Sequence, residues 1–228
     1  MLGFSDDGLR DILPTPTQAA GAILMPMACG NDTDLSDSGD GLLHIFSMVG
    51  GDDSSRVQLL GAVADAIENV KGHAYGGRVH PGIPHLWWLS GSADAQTRTL
   101  TLSIYDQGVT IPVTLPNKWT PEVIASMIKS YLNDTGGAGR HDAAHDGLAV
   151  AAAMRLSKTS TDARERGKGL SKIREAVANC AGGRLRVISR HGNYLYENGV
   201  ESVSITEAPL RGTFIGIEAT FAASGGNE

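Results

Sequence analysis

Apolar residues recur at helical spacing in "SSRVQLLGAVADAIENVKGHA", where Leu60, Val63, Ile67 and Val70 share one face. Ser55 and Gln58 at its start read as a capping box. Two stretches, "HLWWLSG" and "TRTLTLSIYDQG", then predict strands around a short polar turn. Thr120 caps a further helix, "TPEVIASMIKSYL", with Pro121 at its first position. After the glycine-rich "NDTGGAGRHDAAHDG" comes an alanine-rich helical piece reaching to about Leu156. In "ARERGKGLSKIREAV" two glycines one lysine apart open a helix carried by Leu170, Ile173 and Val177, with Gly182 and Gly183 as its stop. The C-terminal part, "RLRVISR", "NYLYENG", "ESVSITE" and "FIGIEATF", predicts four strands with turns at His191 to Asn193 and at Asn198-Gly199.

Helices and strands in this order predict an α+β fold, a two-layer sandwich with helices on one face of a mixed, largely antiparallel sheet. Residues 1–50 are weakly patterned and read as an irregular N-terminal segment and linker ending in the acidic "NDTDLSDSGDG". Residues 51–223 then form the main domain.

Composition narrows the function classes. With 228 residues, 41% hydrophobic and 19% charged, the chain has enough material for one sizeable core. A formal charge of -6 argues against a nucleic-acid binder, which needs a surplus of Lys and Arg against phosphates. Cys29 and Cys180 are far apart in sequence and read as reduced thiols. Pro26 interrupts the apolar run "AAGAILMPMA", which is too short to span a bilayer, and the expected location is cytoplasmic.

Three features carry candidate chemistry. Leu100, Leu102 and Ile104 share a strand face, and alternation puts Asp106 on that same inward face, with Gly108 just beyond to leave room for a flat ligand. Taken alone, an Asp-x-Gly after a strand is an ordinary turn. On the first helix, Asp65, Asn69 and His73 form a stripe at i, i+4 and i+8, which is a solvated face or a set of oxygens for magnesium and an attacking water. Gly167, Lys168 and Gly169 stand at a helix start, where unpaired N–H groups favour an anion.

In this order the features resemble the GHKL ATPases, the superfamily of gyrase, heat-shock chaperone, histidine kinase and mismatch-repair ATPase domains. The resemblance covers about Arg56 to Phe221. It implies the Bergerat ATP-binding fold, with "DAIENVKGHAYG" as the N box, where Asn69 binds magnesium and Asp65 replaces the glutamate of hydrolysing members. It makes "YDQGVTIP" the first glycine box, with Asp106 as the adenine-binding acid beside Gly108. It makes "RGKGLSKIREAV" the second, with Gly167, Lys168 and Gly169 at the nucleotide phosphates and Leu170 as a further nucleotide-binding residue. In "RGTFIGIEATF", Thr213 would sit near the adenine. Two positions depart from the family: Thr110 stands where a further glycine is usual, and Asp65 is one methylene shorter than glutamate.

ATP and magnesium are therefore the expected cofactors. A protein partner or phosphoacceptor is expected, with a homodimer as a further option and no membrane partner. Residues 133–166 take the place of the family's ATP lid. Rival motifs are weaker. "HDAAH" at 141–145 echoes a zinc-binding pair but has no third ligand, and the glycine pattern lacks the Ser or Thr of a P-loop. Trp87 and Trp88 read as core or interface packing. Two function classes remain: an enzyme that hydrolyses ATP or passes its phosphate to a protein, and an ATP-gated interaction module with little turnover.

Overall fold

In the computed structural model of the chain, the described residues are 18–19, 22–31, 36–50, 53–70, 74–75, 85–134, 146–156 and 169–223. Six strands form one sheet: β1 (Gln18–Ala19), β2 (Ala22–Gly30), β3 (Trp87–Asp94), β4 (Thr99–Asp106), β5 (Gly182–Glu197) and β6 (Val200–Thr220). Their spatial order is β1-β2-β3-β4-β6-β5. Every pairing among them is antiparallel, so the mixed sheet expected from the sequence is replaced by a purely antiparallel one. The helices are α1 (Ser36–Met48), α2 (Asp53–Asn69), α3 (Ile111–Lys118), α4 (Pro121–Asp134), α5 (Asp146–Ala153) and α6 (Gly169–Ala178).

Alternation along the strands builds the second layer. Leu89, Leu102, Ile104, Leu185, Val187 and Ile217 share a core with Ile45 and Phe46 of α1, Val63 and Ile67 of α2 and Ile173 of α6. The opposite face of the sheet carries Trp88 stacked on Tyr105, with ring centroids 5.5 Å apart, whereas Trp87 is buried in the core. The two tryptophans thus lie on opposite faces, as period two requires.

Several elements differ from the sequence expectations. β2 and α1 arise in the stretch that carries little pattern. In β2, Pro26 falls in an irregularity between Met25 and Ala28, where a missing N–H breaks no ladder bond. In α1, Gly39 and Gly41 weaken the helical signal, yet Leu42, Ile45, Phe46 and Val49 are all buried. Gly91 of β3 makes room for this helix, since a Cβ there would stand 2.8 Å from Ile45 Cδ1. α2 begins at Asp53, where an Asp53–Arg56 ion pair lies in the first turn. Ser55 is buried within the helix, and Gln58 bonds Ser54 Oγ at 3.1 Å, so the predicted capping box does not form.

The four predicted C-terminal strands are two. No turn forms at His191 to Asn193; a bulge at Arg190 (φ 55°) shifts the register there. Leu185, Val187 and Ser189 are buried before it, and Gly192, Tyr194 and Tyr196 after it. The strand therefore turns its other side to the protein without ending. The turn at Asn198-Gly199 is present, with φ of 47° and 89°. Beyond the bulge the hairpin leaves the sheet and lies on α5, and a Cβ at Gly192 would stand 2.6 Å from the Asp146 carbonyl carbon. Among the described residues no helix is long and apolar enough to cross a membrane.

Candidate functional site

β4 delivers Asp106 to the inner face of the sheet at its last position, where the residue is 5% exposed. The Gly108 amide donates to Oδ1 at 2.8 Å, and the Thr213 backbone amide supplies a second bond. Among the described residues no cation pairs with the carboxyl. Burial, acting against these two amides, pushes it up from 3.8 to about 7. An acid poised near neutrality in an apolar wall is an acceptor for a ligand N–H once ionised.

The loop after Asp106 is drawn tightly to the end of α2. A Cβ at Gly108 would overlap the Ala74 backbone, and Val109 N donates to Ala74 O at 2.5 Å. Gln107 N donates to the Tyr75 hydroxyl at 3.1 Å, and that hydroxyl donates to Leu86 O. On the other side Gly212 adopts φ 80°, and a Cβ there would overlap the Asp106 carbonyl. A side chain is excluded at both glycines, and the strained φ at 212 admits little else.

A cavity of about 100 Å³ opens beside the carboxyl. Asn69, Asp106, Leu170 and Thr213, four of the residues singled out in the sequence, all line it. Its apolar walls include Val70, Ala74, Ile111, Leu115, Trp119 and Ile215. Asp106 is the one ionisable side chain among the described lining residues. Asn69 is set by Gly169, where a Cβ would overlap its Nδ2, so the start of α6 and the end of α2 meet at this point. The arrangement offers apolar surface for a flat ring, one carboxyl for its polar edge, and an amide oxygen near a helix start.

Asp65 is placed differently. It lies one turn before Asn69, outside the cavity lining, and bonds Lys172 Nζ of α6 at 2.7 Å. His73, Gly167, Lys168 and the "HDAAH" histidines lie outside the described residues. So does most of the predicted lid. Its described parts are 133–134, which end α4, and 146–156, which is α5 with the turn after it; Ala153 and Leu156 there close one side of the cavity. Among the described residues no group of three His, Cys, Asp or Glu side chains could hold a metal ion. Asn69 is the oxygen donor that the sequence nominated for one.

Sequence reasoning missed Tyr75, Ser189 and Gly212, and it read no helix at 111–118. Pro112 and Pro116 concealed α3, although a proline in the first helical turn loses no bond. Ser189 carries no local signal, because its role exists only across β5, β6 and α3. Cys29 is exposed, and the Cys180 thiol donates to Ala176 O at 3.3 Å. No family model matches the chain, and no curated protein matches it.

Proposed function

We propose that this chain is a Mg-ATP-binding protein of the GHKL type, with a Bergerat fold, that hydrolyses ATP or passes its phosphate to a protein partner in cytoplasmic signalling. One observation carries the reading: residues far apart in sequence, Asn69, Asp106, Leu170 and Thr213, line one apolar cavity whose described lining contains a single carboxyl. An adenine amino group would satisfy Asp106. The ring would lie against Val70, Ala74 and Ile215. Asn69 would hold magnesium, which would neutralise phosphate charge and orient the terminal group.

A second reading is an ATP-gated interaction module with slow or absent turnover. The Asp65–Lys172 bond favours it, because an acid engaged by an ammonium is a poor general base.

The test is a thermal melt with millimolar ATP and magnesium. At a hundredfold excess over Kd the stabilisation is about 2.7 kcal/mol, a rise of roughly 5–10 °C for a chain of this size. Asp106→Asn should weaken ATP binding about tenfold or more, the effect of losing a charged acceptor. No rise in the parent overturns both readings. Release of labelled phosphate, or its transfer to a co-purifying protein, separates the enzyme from the module.

A further inference from the structure

Ser189 sits on β5 directly before the bulge, with no exposed surface, and its hydroxyl meets three polar groups. Ile111 N donates to Oγ at 2.9 Å. Thr213 Oγ1 is 3.0 Å away, and Gly212 O lies at 3.3 Å. Ile111 and Thr213 both line the cavity, so one buried hydroxyl joins two of its walls.

A serine hydroxyl has one hydrogen and two lone pairs. One lone pair takes the Ile111 N–H. The hydrogen has two acceptors in reach. When it points to Gly212 O, Thr213 gives its own hydrogen to Ser189 and shows only lone pairs to the cavity. When it points to Thr213 Oγ1, the Thr213 hydrogen is released toward the cavity. Asp106 and Thr213 are directly opposed in the register of β4 and β6. An acceptor and a donor then stand side by side, the complement of a ring edge in which an amino group adjoins a bare nitrogen.

We propose that Ser189 is a positioning residue of this site, turning the Thr213 hydroxyl so that it donates to the ring nitrogen next to the amino group accepted by Asp106. The proposal rests on the reading of the cavity as an adenine-nucleotide site. It adds to that reading a residue behind the cavity wall, on a strand that itself contributes no lining residue. Ser189 acts through Thr213 and does not touch the ligand.

Calorimetry with two ligands tests it: ATP, and 1-deaza-ATP, which keeps the amino group and lacks the adjacent ring nitrogen. The parent should prefer ATP by about two- to tenfold, the effect of one net hydrogen bond. Ser189→Ala and Thr213→Val should each bring the preference toward one, and the double variant should fall no further than Thr213→Val alone. A role in folding alone leaves the preference intact, because both ligands meet the same protein. Ser189→Cys, close in size and poor in hydrogen bonding, gives the same reading should the alanine variant not fold. A parent that binds both ligands alike, or a Ser189 variant that keeps the full preference, overturns the proposal while ATP binding stands. A parent that binds neither overturns the nucleotide reading itself.

Discussion

Asp106 and Glu201 are both carboxylates taken out of water, and the chain treats them in opposite ways. Glu201, with its side chain 9% exposed, is held between two guanidinium groups. Arg155 reaches Oε2 at 2.5 Å, and Arg174 binds Oε1. Arg155 also bonds Asp134 at 2.5 Å and Ser130 Oγ at 3.2 Å and lies over the Tyr131 ring. Charge is balanced within the cluster, and the tip of the β5–β6 hairpin is tied to α4, α5 and α6 at once. Among the described residues Asp106 has only backbone amides as partners, and burial raises its affinity for a proton. A compensated buried charge holds elements together. An uncompensated one beside a cavity is left for something that arrives.

The largest expected effect breaks the compensated side. Glu201→Ala leaves Arg174 buried without its acid and Arg155 with Asp134 alone, and should cost about 3–5 kcal/mol, lowering the melting temperature by roughly 10 °C. Hydrogen exchange should quicken at hairpin amides near 192–205. An unchanged melting temperature would mean that the network adds nothing net.

Asp106 should show the opposite dependence. Its folded-state value, about 7, lies above the ordinary 3.8, so between these values the folded chain keeps a proton that the unfolded chain has lost. Stability from this group therefore falls as pH rises through that window and levels off above about 7. Asp106→Asn removes the dependence. Between pH 5 and 8 the variant should gain up to about 3 kcal/mol relative to the parent in urea unfolding, and equal pH profiles would show that the carboxyl is ionised throughout.

Gly169→Ala probes the contact that sets Asn69. The added Cβ displaces the Asn69 amide, with an expected loss of about 1–3 kcal/mol, together with a weaker effect of magnesium on ATP affinity. Retained stability and metal dependence would show that Asn69 can move freely.

The smallest effect concerns Asp65. Its partner Lys172 is half exposed, so Lys172→Ala should change stability by only about 0.2–1 kcal/mol. The variant also releases the acid. If Asp65 serves as a base, phosphate release rises; unchanged release favours the gated module.

Local chemistry was enough for much of this. Alternation in "LTLSIYD" placed Asp106 inward before any fold was known, and the helices at Pro121 and near Gly169 followed from caps and spacing. Local chemistry also misled. Pro26 reads as an interruption yet sits in a bulge within β2, and Pro112 and Pro116 lie in a short helix for which the local pattern gives no signal. Leu42, Ile45, Phe46 and Val49 carried a helical signal that the surrounding glycines and acids obscured.

The sequence by itself determined which residues face inward, because side-chain direction repeats every 2 residues in a strand and about 3.6 in a helix. It also determined the turn at Asn198-Gly199, because positive φ is a property of those two residues in place. Only the tertiary structure decided what is assembled across the chain. The Ser189–Thr213–Ile111 junction, the Arg155–Glu201–Arg174 cluster and the raised pKa of Asp106 each depend on distance and on water exclusion between segments remote in sequence. Burial and electrostatic pairing have no local code, since both are set by what the rest of the fold brings alongside.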